Sequence, residues 1–215
     1  MSTKRAPRPR PETLERRKDI LKAALEIFGA KGYNNGPLSE IAEQVNMTHA
    51  GILHHFGSKD ELLLEVLRYR DESDVEELEE RHIPTGIHLF RHLVRTAFAN
   101  ADRAGIVQAY AVLSAESVTD NHPAKTYFDD RYQTLRREVA EAFTAVCVER
   151  GVDLNADRIK QASASILAVM DGLQVQWLLD PTQVDLGPAS MFAIEAMVSA
   201  VVEPRISPLG EIAGL

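Results

Sequence analysis

The sequence has very little of what secreted and membrane proteins depend on. Its 215 residues include a single cysteine, Cys147, which cannot form an intrachain disulfide and suits a reducing cytoplasm. No run approaches eighteen consecutive apolar residues, and the basic, proline-rich N-terminus lacks the apolar core of a signal peptide. We therefore expect a cytoplasmic protein that does not enter a membrane.

The motifs of common enzyme classes are missing as well. The chain contains no P-loop, no dinucleotide-binding glycine fingerprint, no HExxH sequence and no nucleophile elbow. His88 and His92 have the i, i+4 spacing of two metal ligands on a helix, but no cysteine or obvious carboxylate completes a set. We predict no catalytic residue, no metal and no cofactor.

Strand patterns are also absent. No stretch shows a sustained alternation of apolar and polar residues, which is typical of half-buried strands. Apolar residues instead recur at helical spacing, for example at Leu21, Ala24, Leu25 and Phe28. The same spacing predicts further helices over Ile87–Asn100, Ile106–Val118 and Ala156–Leu179. Gly32 is predicted to end the first helix in a left-handed conformation with Tyr33 folded back on Phe28, and Cys147 is predicted to pack as a small buried hydrophobe. Hydrophobic residues make up 45% of the chain and charged residues 26%, which is the balance of an ordinary soluble globular protein. The sequence therefore predicts an all-α fold.

The net charge of −8 is unevenly distributed along the chain. Residues 1–60 carry ten lysines and arginines against seven aspartates and glutamates, a balance of +3. The remaining residues therefore carry −11. A basic end on an acidic body is the distribution expected of a DNA-binding head attached to a body that does not bind DNA.

The stretch from Leu38 to Leu62 has the pattern of two short helices joined by a tight turn. Asn46 can adopt the left-handed conformation that ends the first helix, and the Thr48 hydroxyl can cap a second helix that opens at His49 and ends near Phe56. This is the helix-turn-helix arrangement, in which the second helix lies in the DNA major groove. The same spacing is equally compatible with an αα-hairpin that has no role in DNA binding.

Several separated motifs in this region occur in a characteristic order. The strings ALEIFGAKGY, IAEQV and HHFGSKDELL, between about Ile20 and Leu67, resemble the DNA-binding domain of TetR-family transcriptional regulators. The later string DGLQVQWLLDP resembles the C-terminal helices of many family members, where the last two helices pair with their symmetry mates in a four-helix dimer bundle.

The resemblance implies an all-α protein with an N-terminal three-helix helix-turn-helix domain and a larger C-terminal helical ligand-binding and dimerisation domain. It implies a dimeric, ligand-responsive transcriptional regulator, usually a repressor, that a small molecule releases from a palindromic operator. The partners would be a double-stranded DNA operator, a small-molecule effector and a second copy of the chain. The alternative function is an all-helical interaction protein that never binds DNA.

Breaks in periodicity divide the chain into five segments. We predict a flexible basic arm over residues 1–11, a helix-turn-helix domain over 12–57, a connecting helix over 58–84, an effector-binding and dimerisation domain over 85–204, and a tail over 205–215. The final helix of the body is apolar nearly all round, so it needs more than one partner to cover it. Pairing of the last two helices with a second copy meets that need, and a central place in a monomer's core is the alternative.

Six residues are predicted to bind DNA. Small residues near the start of the second helix let the backbone approach the groove closely, and polar or basic side chains beside them are placed for bases or phosphates. The set is Thr48, His49, Ala50, Gly51, His54 and Lys59. Family members often carry a tyrosine where this chain has Leu53, so the basis for one expected phosphate contact is missing.

Polar residues on otherwise apolar helices indicate a ligand site in the body. Each such group needs a hydrogen-bond partner if it is buried, and a ligand can be that partner. The predicted ligand-binding set is Phe90, Tyr110, Leu113, Met170, Asp171, Gln174 and Trp177. The alternative for each polar member is a position at a helix end or in a polar pair within the core or dimer interface.

Overall fold

The structure is a computed structural model that describes residues 11–76 and 83–203. The predicted tail over 205–215 and nearly all of the predicted basic arm over 1–11 lie outside the described residues. Residues 77–82 of the predicted connecting helix also lie outside them.

Within the described residues the chain forms nine α-helices and no strand, which confirms the predicted all-α class. The helices are α1 Pro11–Asn35, α2 Leu38–Gln44, α3 His49–Phe56, α4 Lys59–Glu76, α5 Ile87–Asn100, α6 Ala104–Glu116, α7 Lys125–Arg150, α8 Ala156–Leu179 and α9 Leu186–Val202.

Periodicity located most helix ends within two residues. Helices α5 and α8 begin and end at the predicted residues, whereas the helix predicted over Ile106–Val118 is α6, displaced by two residues at each end. Apolar spacing marks a helix face but not the capping that ends it, so errors of this size are expected. Cys147 on α7 is 1% exposed, which confirms that it packs as a small hydrophobe.

The described residues divide into two compact units. Unit 1 contains the residues up to Ser73 together with Gln108–Tyr127, and unit 2 contains Asp74–Val107 and the residues from Phe128 onward. The predicted domain boundaries follow breaks in helical periodicity rather than compactness, and they remain predictions.

The core of unit 1 is built on the apolar stripe of α1. Ile20, Ala24 and Phe28 on this stripe are fully buried, as are Ile41 of α2 and Ile52 of α3. We predicted that Gly32 ends α1 in a left-handed conformation with Tyr33 folded back on Phe28. Gly32 has a φ of 75° and the two rings lie 5.8 Å apart, but the helix only kinks there and continues to Asn35.

Residues 108–127 add a second layer to unit 1. Ala109 of α6 lies so close to Gly29 of α1 that a Cβ at Gly29 would be 3.0 Å from the Ala109 Cβ. The Tyr33 amide donates a 2.7 Å hydrogen bond to the Glu116 carboxylate at the end of α6. These contacts join α6 to the first helix of the head.

Unit 2 has a hydrophobic core to which α5, α7, α8 and α9 all contribute. The Phe90 and Phe143 rings pack with their centroids 4.6 Å apart, and Ile166 and Ile194 are buried in the same cluster. A smaller cluster contains Val107, Trp177 and Leu186.

Among the described residues, α8 alone is long and apolar enough to cross a membrane by length and composition. Core helices of globular proteins meet the same criterion. The buried face of α8 includes Ile159, Ile166 and Met170, which pack in the unit 2 core.

Candidate nucleic-acid interface

The turn between α2 and α3 is closed by local hydrogen bonds. Asn46 has a φ of 52°, which confirms the predicted left-handed residue, and the Met47 amide donates to the Ala42 carbonyl at 2.8 Å. The Thr48 hydroxyl oxygen accepts from the Gly51 amide at 3.1 Å, which confirms the predicted N-cap. The start of α3 is therefore held by its own capping group rather than by a partner molecule.

The end of α3 is equally sharp. Gly57 has a φ of 80°, and a Cβ at this position would collide with the Glu61 carboxylate. The Ser58 hydroxyl oxygen then accepts from the Glu61 amide at 3.0 Å and caps α4. The positive φ favours glycine here, and any side chain would also have to displace the Glu61 carboxylate.

Helix α3 has one buried face and one open face. Ile52 and Phe56 are buried in unit 1. Four of the six predicted DNA-binding residues are exposed, namely Thr48, His49, Ala50 and His54, and Gly51 is half-buried. The open face therefore presents a hydroxyl, two imidazoles and a methyl group, which are groups that contact phosphates and base edges. Their role in DNA binding remains a prediction.

Arg17 of α1 holds the C-terminal end of α3, a role that the sequence did not indicate. Its guanidinium lies 4.2 Å from the centroid of the Phe56 ring and donates a hydrogen bond to the His55 carbonyl oxygen. It also forms a 3.2 Å ion pair with Glu65 of α4. A cation beside the last carbonyls of a helix is stabilised by the helix dipole. No local spacing rule links residues 17 and 55, so only the tertiary structure brings them together.

Lys59 has partners inside the protein. Its ammonium lies 4.5 Å from the centroid of the Tyr33 ring and donates to the Asn34 carbonyl oxygen at 3.5 Å. The Tyr33 hydroxyl donates to the Asp60 carboxylate, and burial together with that carboxylate raises the pKa of Tyr33 well above its usual range. The predicted phosphate contact of Lys59 stays a prediction.

Two basic groups near α3 have lowered pKa values. Burial lowers the pKa of His55, and the adjacent His54 and the two arginines of α1 lower it further. Burial also lowers the pKa of Lys59. A lowered pKa favours the neutral imidazole of His55, so this side chain adds little positive charge to the surface of α3.

Matches to family models cover both parts of the chain. Residues 20–66 match the model described as "Bacterial regulatory proteins, tetR family". Residues 87–203, more than half of the chain, match the model described as "BetI-type transcriptional repressor, C-terminal". The chain belongs to the tetR family. It is a DNA-binding transcriptional regulator, which confirms the resemblance and does not favour the alternative of an interaction protein.

Some relatives of this regulator are similar to it over most of their length. The HTH-type transcriptional repressor BepR of Brucella suis is 25% identical over 210 residues, 94% of this chain and 99% of BepR. The HTH-type transcriptional activator FasR of Mycolicibacterium smegmatis is 25% identical over 80% of this chain and 76% of FasR. The crystal structure of NalD of Pseudomonas aeruginosa, the secondary repressor of the MexAB-OprM multidrug efflux pump, has a TM-score of 0.67 at 19% identity and covers 90% of this chain and 98% of its own.

The predicted ligand-binding residues of unit 2 are mostly buried. Phe90 and Met170 belong to the main core cluster, whereas Trp177 belongs to the smaller one. Asp171 is half-buried and accepts a 2.6 Å hydrogen bond from the Tyr132 hydroxyl. Gln174 is 7% exposed and forms no hydrogen bond with the described residues.

The other two predicted ligand-binding residues, Tyr110 and Leu113, belong to unit 1. Both are buried, and the Arg70 guanidinium lies 4.5 Å from the centroid of the Tyr110 ring. Arg70 is itself 5% exposed and forms a 3.1 Å ion pair with Asp71. Tyr110 therefore has a cation–π partner within the protein.

No group of three or more histidine, cysteine, aspartate or glutamate side chains in the described residues could hold a metal ion. His88 is exposed and His92 is half-buried on α5.

Replacing Arg17 with glutamine should weaken binding to an operator fragment by about tenfold. The change removes a hydrogen bond from a charged donor, worth roughly 1.5–3 kcal/mol, and a cation–π contact worth roughly 0.5–1 kcal/mol, and part of that loss falls on the placement of α3. The affinity is measured by fluorescence anisotropy at several salt concentrations. Because Arg17 positions α3, the salt dependence should stay close to that of the wild type.

Arg68→Gln is the matched control for this variant. Arg68 forms a 2.6 Å ion pair with the same glutamate, Glu65, and is exposed, but no contact joins it to α3. It should change operator affinity less than twofold, in line with the small effect of exposed ion pairs. Equal losses in the two variants would mean that Arg17 acts only through its charge.

Proposed function

We propose that this regulator is a homodimeric repressor whose two heads bind a palindromic operator and whose release is triggered by a small molecule. The observation that carries the proposal is α3, a capped helix whose open face holds four of the six predicted DNA-binding residues. Two such heads would occupy successive major grooves about 34–36 Å apart. The descriptions of the C-terminal family model and of BepR as repressors support repression as the direction of control.

Exposed apolar side chains support a dimer through the last two helices. Among the described residues, ten large hydrophobic side chains are exposed, and four of them lie on α8 and α9. They are Val175 and Leu179 on α8 and Met191 and Phe192 on α9, with Leu179 81% exposed and Phe192 76% exposed. Apolar surface gathered on adjacent helices is typical of a protein–protein interface.

Selection of bound DNA from a random pool tests the head. A dimeric reader should enrich a palindrome whose half-sites are about one helical turn apart. The affinity for the recovered site should fall steeply as salt rises, because each phosphate contact releases counterions. Enrichment of no sequence would support the interaction-protein alternative, and an affinity independent of salt would contradict the assigned phosphate contacts.

The effector is proposed to bind among the core residues of unit 2 near Gln174. This side chain lies between Met170 and Trp177 on the buried face of α8 and forms no hydrogen bond with the described residues. A ligand that covers its amide would have to supply the missing hydrogen bonds, because an amide buried without them costs roughly 1–3 kcal/mol. The ligand shifts the DNA-binding equilibrium only by its differential affinity for the bound and released states.

Gln174→Leu should change the free energy of unfolding of the ligand-free protein by less than about 1 kcal/mol, since it replaces a side chain that forms no hydrogen bond with the described residues by an apolar group of similar size. Urea unfolding followed by circular dichroism measures this change. The same variant should keep operator affinity and lose the response to an effector identified by screening release of the operator.

Gln176→Leu is the control for Gln174→Leu, because Gln176 is an exposed glutamine on the same helix. It should change the free energy of unfolding by less than about 0.5 kcal/mol. A destabilised Gln174→Leu protein would mean that the amide has a partner in the dimer, and would contradict its assignment to the effector.

We place the regulator in the cytoplasm, where operator DNA is. The single cysteine, Cys147, is free and buried, which suits a reducing compartment. Cell fractionation with an antibody against the full chain tests this location, and recovery of the protein in the membrane fraction after a high-salt wash would contradict it.

A further inference from the structure

A groove lies on the surface of unit 2 between α5 and α9. Its volume is about 730 Å³, within the range of about 300–1,000 Å³ that is typical of small-molecule sites. Its apolar lining includes Phe90 and Val94 from α5 and Ile194 and Val198 from α9. These side chains are more than half covered by the protein, so the floor of the groove is part of the core surface.

Two arginines of α5 edge the groove. Arg91 and Arg95 both line it, and their i, i+4 spacing puts them side by side on one edge of the helix. Both are exposed, and neither forms an ion pair within the described residues. Two adjacent guanidiniums offer several donors to one carboxylate, an arrangement suited to an anionic head group.

The other charges at the groove are nearly balanced. Arg150 at the end of α7 pairs with Glu203 at 3.9 Å, and both line the groove. Glu195 of α9 also lines it and opposes an anion there, so the described lining residues carry one net positive charge in a chain whose net charge is −8. The excess positive charge at the groove therefore lies on α5.

We propose that this groove binds an amphipathic organic anion, an aliphatic carboxylate whose chain lies on the apolar floor and whose head group lies between Arg91 and Arg95. A neutral apolar ligand offers the two arginines no anionic partner, and they repel an aliphatic cation. The inference concerns binding alone and does not depend on DNA binding or on the effector site near Gln174.

Isothermal titration calorimetry of the full chain with decanoate tests the site. Decanoate should bind with a dissociation constant below about 1 mM, and affinity should fall by up to about fourfold for each methylene removed on going to octanoate. The paired variant Arg91→Gln, Arg95→Gln should bind decanoate about tenfold more weakly. Decyltrimethylammonium should bind the wild type more weakly than decanoate does.

A matched double variant controls for loss of two positive charges. Arg136 and Arg137 are exposed on α7, fourteen and thirteen residues before Arg150, which is about 20 Å along the helix. Arg136→Gln, Arg137→Gln should bind decanoate as the wild type does. The proposal would be overturned if both double variants bound decanoate equally well or if the wild type did not bind decanoate. It would also be overturned if the wild type bound decyltrimethylammonium as tightly as decanoate.

Sedimentation of the same variants tests whether a second copy of the chain covers the groove. If the groove is covered by another chain, Arg91→Gln, Arg95→Gln should change the oligomeric state and decanoate should fail to bind the wild type. That outcome also overturns the proposal. All these substitutions lie at exposed positions, so folding is retained and circular dichroism checks it.

Discussion

Phe192→Asp should raise the dissociation constant of the proposed homodimer at least about 100-fold. Phe192 is 76% exposed on α9, and in a symmetric interface the substitution occurs in both subunits. Loss of a large aromatic anchor costs roughly 2–4 kcal/mol of binding free energy. An aspartate in its place adds the cost of removing a charged carboxylate from water when the interface forms. Sedimentation velocity across a range of protein concentrations measures the effect.

Operator binding should weaken together with the dimer. Two linked heads bind a palindrome far more tightly than one, because the second head binds at a high effective concentration. Anisotropy with the full palindrome should therefore show a large loss, and with a single half-site almost none. A loss of equal size on the half-site would show that the variant damages the head rather than the pairing of subunits.

Val148→Asp provides the comparison for Phe192→Asp. Val148 is 66% exposed on α7, outside the last two helices. The same new charge there should leave the dimer and the operator affinity unchanged. A dimer that also dissociates in Val148→Asp would place the interface elsewhere.

Phe28→Ala should lower the free energy of unfolding by about 3–5 kcal/mol. Phe28 lies on α1 and its ring is fully buried. Removal of a buried aromatic side chain gives up the free energy gained by burying it and leaves a cavity. The ring lies under Tyr33 and so close to Gly36 that a Cβ there would be 2.9 Å from it. Because the free energy of unfolding of a domain is about 5–15 kcal/mol, unit 1 should lose much of its folded population.

Urea unfolding followed by far-ultraviolet circular dichroism measures the loss, and limited proteolysis locates it in unit 1. Leu14→Ala is the control, because Leu14 lies on the same helix but is 49% exposed. It should change the free energy of unfolding by less than about 0.5 kcal/mol. A Phe28→Ala protein as stable as Leu14→Ala would contradict the packing described for α1.

The helix-turn-helix segment was predictable because its start and stop signals are local. Asn46, Thr48 and Gly57 act on backbone groups within a few residues of themselves, and each has the conformation or contact expected of its type. The apolar faces of α5 and α8 were predictable for the same reason, since helical periodicity is visible in a short window. Family membership followed from the order of several such local motifs.

Contacts between distant residues were not predictable in this way. Nothing near Arg17 indicates that it would hold the His55 carbonyl, and nothing near Glu116 indicates that it would accept from the Tyr33 amide. The assignment of residues 108–127 to unit 1 depends on contacts of this kind. The roles of the predicted DNA-binding and ligand-binding residues remain predictions, because they depend on molecules outside the chain.

The sequence by itself thus determined the helices, the capped turn before α3 and the family. The reason is that capping, backbone preference and helical periodicity act over a few residues and leave a readable pattern. Only the tertiary structure decided that Arg17 supports α3, that Gln174 is buried without a hydrogen bond to the described residues, and that Arg91 and Arg95 edge an apolar groove. These features arise where helices distant in sequence pack together, and the chain carries no local signal of that packing.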